Sequence, residues 1–140
     1  MTMLLSHATV WCLDQRSARA FYTERLGFEV RTEAPIGPDV LWLTVGLPRQ
    51  PDVELVLTPI APPMVPADRV DALRELVAAG VLGGGVLRVD DCRAAYEELR
   101  ARGVEFRQPP TERSYGIEAV LRDDSGNWFS LVERSARASG

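Results

Sequence analysis

At 140 residues, with 46% apolar and 26% charged side chains, the chain has the length and apolar content of one ordinary domain with a buried core, which excludes a disordered polypeptide. A formal net charge of -4 lacks the basic excess that phosphate neutralisation needs, so neither nucleic acid nor an anionic membrane is expected as a partner. A small molecule or a second copy of the chain is expected instead.

Residues 1–10 are apolar only in short snatches broken by Ser6 and His7, with no basic lead and no small-residue cleavage site, so no signal peptide is predicted and a cytoplasmic location is expected. No apolar run approaches the roughly 20 residues that span a bilayer. Residues 6–13 read as a β-strand. Asp14 then stands where an N-cap accepts bonds from free amides, and Ala18, Phe21 and Tyr22 recur at helical spacing until Gly27 ends the helix. Strands follow over 28–32 and 40–45, with Pro35, Gly37 and Pro38 marking the turn between them, and over 53–58 after the proline-bounded turn at 48–51. A proline-rich connector spans 59–66. Val70, Leu73 and Val77 then form one apolar stripe that ends at Gly80, which predicts a linker helix packed on a sheet.

The second half repeats the order of the first. Residues 86–89 read as a strand, Asp91 as a cap, and Ala95 and Leu99 as a helix running to Gly103, followed by strands over 104–107, 117–122 and 128–133. Placing Leu13 and Asp14 over Val89 and Asp90 also places Gly27 over Gly103 and Glu29 over Glu105, a self-similarity at a spacing of about 76 residues. Two β-α-β-β-β units in one chain predict an α+β domain over 1–138, with module one at about 4–58, a linker and helix at about 59–82, and module two at about 83–134. Cys12 and Cys92 are read as reduced thiols, one in a strand and one opening a helix. Gly83, Gly84 and Gly85 precede a strand and lack a helix N-terminus behind them, so they predict close backbone approach and not a phosphate cradle.

The stretch His7-Ala-Thr-Val-Trp-Cys-Leu-Asp14, with Ser17, Phe21, Tyr22, Leu26, Gly27 and Phe28, resembles the opening module of the vicinal oxygen chelate family of glyoxalases, bleomycin-resistance proteins and extradiol dioxygenases. Residues 52–57, 96–104 and 123–129 continue the resemblance, which covers residues 6–133. It implies paired βαβββ modules forming a curved, cupped mixed sheet, a homodimer, and a divalent zinc, nickel, iron or manganese ion held by side chains from the first and fourth strands of each module. There the ion would act as a Lewis acid on substrate oxygens. Carried onto this sequence, the first two ligand positions are His7 and Glu54. The third falls on the glycine run at 83–85, and the fourth falls on Ser130. Glu133 lies three residues beyond and so faces the other side of a regular strand. With two of four ligands, no resident metal is expected in this chain, although Glu118, substrate oxygens or a second subunit could complete one.

His7 and Glu54 thus carry three readings: an incomplete metal site, a general-base pair, and a neutral histidine hydrogen-bonded to its carboxylate partner. If His7 faces the cup, alternation brings Trp11 beside it, and Ser130 brings Trp128. Trp42 is not assigned to a face. Arg88 is read either as a clamp for a ligand carboxylate or phosphate or as a surface ion pair, Glu118 as facing either pocket or solvent, and Tyr115 as a rim residue. Core packing is the competing reading for the tryptophans. The expected function is small-molecule binding. The rivals are a lyase, isomerase or dioxygenase using His7 and Glu54, and a structural or regulatory module.

Overall fold

The computed structural model describes residues 1–136. In chain order the elements are β1 (His7–Cys12), α1 (Gln15–Ala20), β2 (Glu29–Gly37), β3 (Val40–Gly46), β4 (Glu54–Pro59), α2 (Val70–Ala78), β5 (Gly83–Arg88), α3 (Cys92–Ala101), β6 (Glu105–Arg113), β7 (Gly116–Arg122) and β8 (Trp128–Arg134). The duplication is visible at the caps. Asp14 and Asp91 are both extended, and each carboxylate accepts the amide three residues on, from Ser17 at 2.9 Å and Ala94 at 3.0 Å. Each helix is also stopped by a glycine with positive φ, Gly27 at 81° and Gly103 at 89°. α1 relaxes into a π-helical turn at Phe21–Arg25 before that stop, which periodicity alone does not predict.

The strands form two four-stranded sheets, ordered β1-β4-β3-β2 and β5-β8-β7-β6. In each, the first and fourth strands of the unit pair in parallel and the rest pair antiparallel. β2 and β6 run longer than the expected 28–32 and 104–107, reaching Gly37 and Arg113. Both are edge strands, where Pro35, Pro109 and Pro110 cost no ladder bond, so the prolines sit within strands and the first hairpin turns later, at Asp39. β5 begins at Gly83, before the expected residue 86, because Gly83 and Gly85 pair with Trp128 and Phe129.

The helix-facing sides of both sheets close over one core. Val10, Cys12, Phe28, Leu43, Val45 and Leu57 of the first unit meet Val104, Leu121 and Phe129 of the second, with Tyr22 fully buried between them. The tyrosine ring packs edge-on against Phe21, Phe28 and Phe129 at centroid distances of 5.6, 5.5 and 6.2 Å. α2 seals the end of β1, where Val77 joins Ile60 and Val65 in a smaller cluster against Trp11 and Leu13.

The turn between β7 and β8 fastens the second unit to the first. Asp123 Oδ1 accepts the amides of Ser125, Gly126 and Asn127, each at 2.9 Å, while Oδ2 accepts Tyr22 Oη–H at 2.6 Å and Asn127 Nδ2 at 3.0 Å. Asn127 Nδ2 also donates to the Trp11 carbonyl, and Ser125 Oγ accepts the Leu13 amide. Asp124 is less well provided. Its Oδ2 accepts Ser17 Oγ–H at 2.8 Å, but burial, with Asp123 and Asp14 nearby, pushes its carboxyl up to about 6.

A carboxyl raised in the folded state favours folding while protonated, and that stability is lost as pH rises through the folded value. Asp124→Asn is therefore expected to stabilise the protein at pH 7.5, on the order of 1 kcal/mol after allowance for solvent screening, with no gain at pH 4. Urea denaturation across that range reads the effect; an equal change at both pH values would rule out Asp124 as its source.

Candidate functional site

The parallel register of β1 and β4 sets His7 directly opposite Glu54. Alternation then places Thr9 and Trp11 on the face of His7, and Val56 and Thr58 on the face of Glu54. Thr44 pairs with Val56 from β3, so Thr44 and Trp42 share this face, opposite the side that packs in the common core with Tyr22. His7 Nε2 lies 3.7 Å from Glu54 Oε1, and the same oxygen accepts Thr44 Oγ1–H at 2.6 Å. Thr44 is fully buried, so the carboxylate is held from beneath while both ends of the pair reach solvent, with side chains 37% and 23% exposed. His7 Nδ1 is 2.9 Å from Ser6 Oγ, and the Trp42 ring stands over the imidazole at 6.1 Å between centroids. The cluster is therefore His7, Glu54, Trp42 and Thr44. Thr44 and Ser6 escape sequence reading, because alternation marks Thr44 as a neighbour of Trp42 but cannot give the register that brings it to Glu54.

The second sheet supplies nothing comparable. At Gly84 a Cβ would overlap the Phe129 ring at Cζ and Cε2, and at Gly83 it would lie 2.8 Å from Trp128 Cζ2. The parallel register, shifted by a bulge between Gly83 and Gly85, sets Val86 opposite Ser130 as His7 is set opposite Glu54, and neither Val86 nor the glycines before it offers a ligand atom. Ser130 is buried between Val86 and Val120 of its neighbouring strands. Glu133 turns to the helix side, where it accepts the Cys92 amide at the start of α3. Among the described residues no group of three or more His, Cys, Asp or Glu side chains is arranged to hold a metal ion. The residues present do not fit the family's four-ligand centre.

The remaining candidates are spread along the two sheets. Trp11 packs against the cluster of Ile60, Val65 and Val77, and Trp128 lies over Gly83. Glu118 accepts Tyr115 Oη–H at 2.8 Å and stands 3.8 Å from Arg113, so its carboxylate is engaged at the rim of the second sheet. That hydrogen bond pushes the Tyr115 phenol up. Arg88 is exposed on β5. A crevice of about 170 Å³, lined by Val53, Glu54, Gly84, Gly85, Val86 and Phe129, joins the carboxylate of the first sheet to the glycine run of the second.

Gly84→Ala is expected to destabilise the fold by about 1–3 kcal/mol through overpacking, and Phe129→Leu in the same chain should recover part of that loss. Thermal denaturation of the two single variants and the double closes the cycle. Strict additivity would show that Phe129 is not what excludes a side chain at position 84.

Residues 4–131 match the family described as the Glyoxalase/Bleomycin resistance protein/Dioxygenase superfamily. The crystal structure of UcmS2 superposes with a TM-score of 0.90 at 53% identity, covering 95% of this chain and 99% of that one. TnmS3, described as an antibiotic binding protein from Streptomyces sp. CB03234, superposes with a TM-score of 0.74 at 30% identity, over 96% of this chain and 98% of its own. The uncharacterized protein YetH of Bacillus subtilis (strain 168) is 30% identical over 133 residues, 95% of this chain and all of its own length. With the duplicated βαβββ architecture and the pairing of β1 with β4 already established, these matches place the chain in the Glyoxalase/Bleomycin resistance protein/Dioxygenase superfamily.

Proposed function

We propose that this protein binds a small organic molecule on the face carrying Trp42, His7 and Glu54, and does so without a resident metal ion. The observation that supports this reading most is the reduction of the donor set to two side chains, with Val86 and Ser130 paired on the second sheet where His7 and Glu54 are paired on the first. One imidazole and one carboxylate fall short of the three protein ligands of a catalytic zinc site. What remains is a hydrogen-bonding pair beside an indole face, suited to planar, largely apolar ligands. The description of TnmS3 as antibiotic binding is in keeping with such a role.

A second reading draws on the same contact. Glu54, fixed by Thr44 and 3.7 Å from His7, can orient the imidazole as a general base for a lyase or isomerase step. The two readings separate by turnover: a binding protein returns its ligand unchanged. We further propose a cytoplasmic homodimer. Met1, Met3, Leu4 and Leu5 expose their side chains next to β1, apolar surface that a second copy would cover. Two buried free thiols suit a reducing compartment. Light scattering reads the oligomeric state directly, and a monomer at micromolar concentration would remove the dimer from this account.

Trp42→Ala is expected to weaken binding of a neutral planar probe, 2-naphthamide, roughly tenfold, as the loss of about 1 kcal/mol of stacking with its contact area requires. Calorimetric titration measures it. Unchanged affinity would show that this face is not the binding site.

A further inference from the structure

Beyond the crevice at Glu54 the second sheet opens into a larger groove of about 930 Å³, lined by Arg49 from the β3–β4 loop, Arg88 from β5 and Arg134 from β8. Among the described residues five arginines, Arg16, Arg49, Arg88, Arg122 and Arg134, make no ion pair, side-chain hydrogen bond or cation–π contact, and three of the five line this groove. Asp90 is the one acidic residue in its wall. In a chain of net charge -4, three unpaired guanidinium groups converging from three separate elements on one concavity is a local reversal of sign. Like charges gathered in this way repel one another, and an anion relieves the repulsion while filling guanidinium forks that carboxylate and phosphate oxygens match in pairs.

The groove is not isolated from the site described above. It shares Leu47, Gln50, Val86 and Leu87 with the crevice that reaches Glu54, so one ligand can span both. Resting on the reading of this face as a small-molecule site, we propose that the ligand is an anion: its carboxylate or phosphate group sits among Arg49, Arg88 and Arg134, and its apolar body runs past Val86 toward Trp42. The carboxylate of Glu54 stands at the far end, so charge on the ligand is directed to the arginine pole and a hydrogen-bond donor to the other.

Three matched probes test this by calorimetry at low salt: 2-naphthoate, 2-naphthyl phosphate and the neutral 2-naphthamide. The wild-type protein is expected to bind at least one of the two anions roughly tenfold or more tightly than the amide, and the tighter anion identifies the group the groove takes. Arg88→Ala combined with Arg134→Ala should abolish the preference by weakening the anions roughly tenfold or more beyond any change for the amide, whereas Arg16→Ala, outside the groove, should leave the preference intact. The Arg88→Lys and Arg134→Lys pair keeps both charges and guards against a folding defect, and should retain part of the preference. Equal binding of all three probes by wild type, or a preference that survives the alanine pair, overturns the anion proposal while the small-molecule reading stands. Failure of wild type to bind any of the three overturns both.

Discussion

The carboxylate of Asp123 is the contact through which the two halves of this fold become one body. Five donors converge on it, three of them amides of its own turn, so that it is fully used where it is buried. A buried carboxylate without those partners would cost several kcal/mol; with them it fixes the β7–β8 turn and, through Tyr22 and Asn127, ties that turn to α1 and to the end of β1. Two further links between the halves run from Arg25 to the Gly103 carbonyl and from Arg102 to the Arg25 carbonyl. The shared core of Tyr22, Phe28, Leu121 and Phe129 assembles around the Asp123 turn.

That constraint explains the division of labour between the halves. Phe129 begins two residues after Asn127, and its ring is driven into the common core against Tyr22 and over Gly84. Glycine is required at position 84 by that packing, for space and not for backbone freedom, while Val86 stands opposite Ser130 without a ligand atom. The first half has no equivalent intrusion. Its β1–β4 register leaves His7 and Glu54 facing each other on the open side, with Thr44 beneath and Trp42 above. The duplicated fold thus keeps polar chemistry on one sheet while the other provides the wall and, in its arginines, a charge of the opposite sign.

Much of this was legible in the sequence. The caps at Asp14 and Asp91, the stops at Gly27 and Gly103, and the pairing of His7 with Glu54 all follow from local rules or from a resemblance anchored on particular residues. What was not legible depends on register and on distance through space. Thr44 reaches Glu54 only because β3 pairs with β4 at Val56, and Arg49 joins Arg88 and Arg134 only because the β3–β4 loop folds against β5. The prolines in β2 and β6 misled the strand boundaries, because edge position is a property of the assembled sheet. Trp11 and Trp42, alike as isolated tryptophans on strands, part company once α2 packs over the end of β1 and covers only the first of them.

The account stands on the claim that two donors, His7 and Glu54, are all the site offers a metal ion. Metal analysis of protein purified without chelator, followed by calorimetric titration with zinc, nickel and manganese, tests it most directly. The account predicts well under one ion per chain and only weak binding of each added metal. One tightly held ion per chain that disappears in His7→Ala would contradict it and return the site to metal-dependent catalysis.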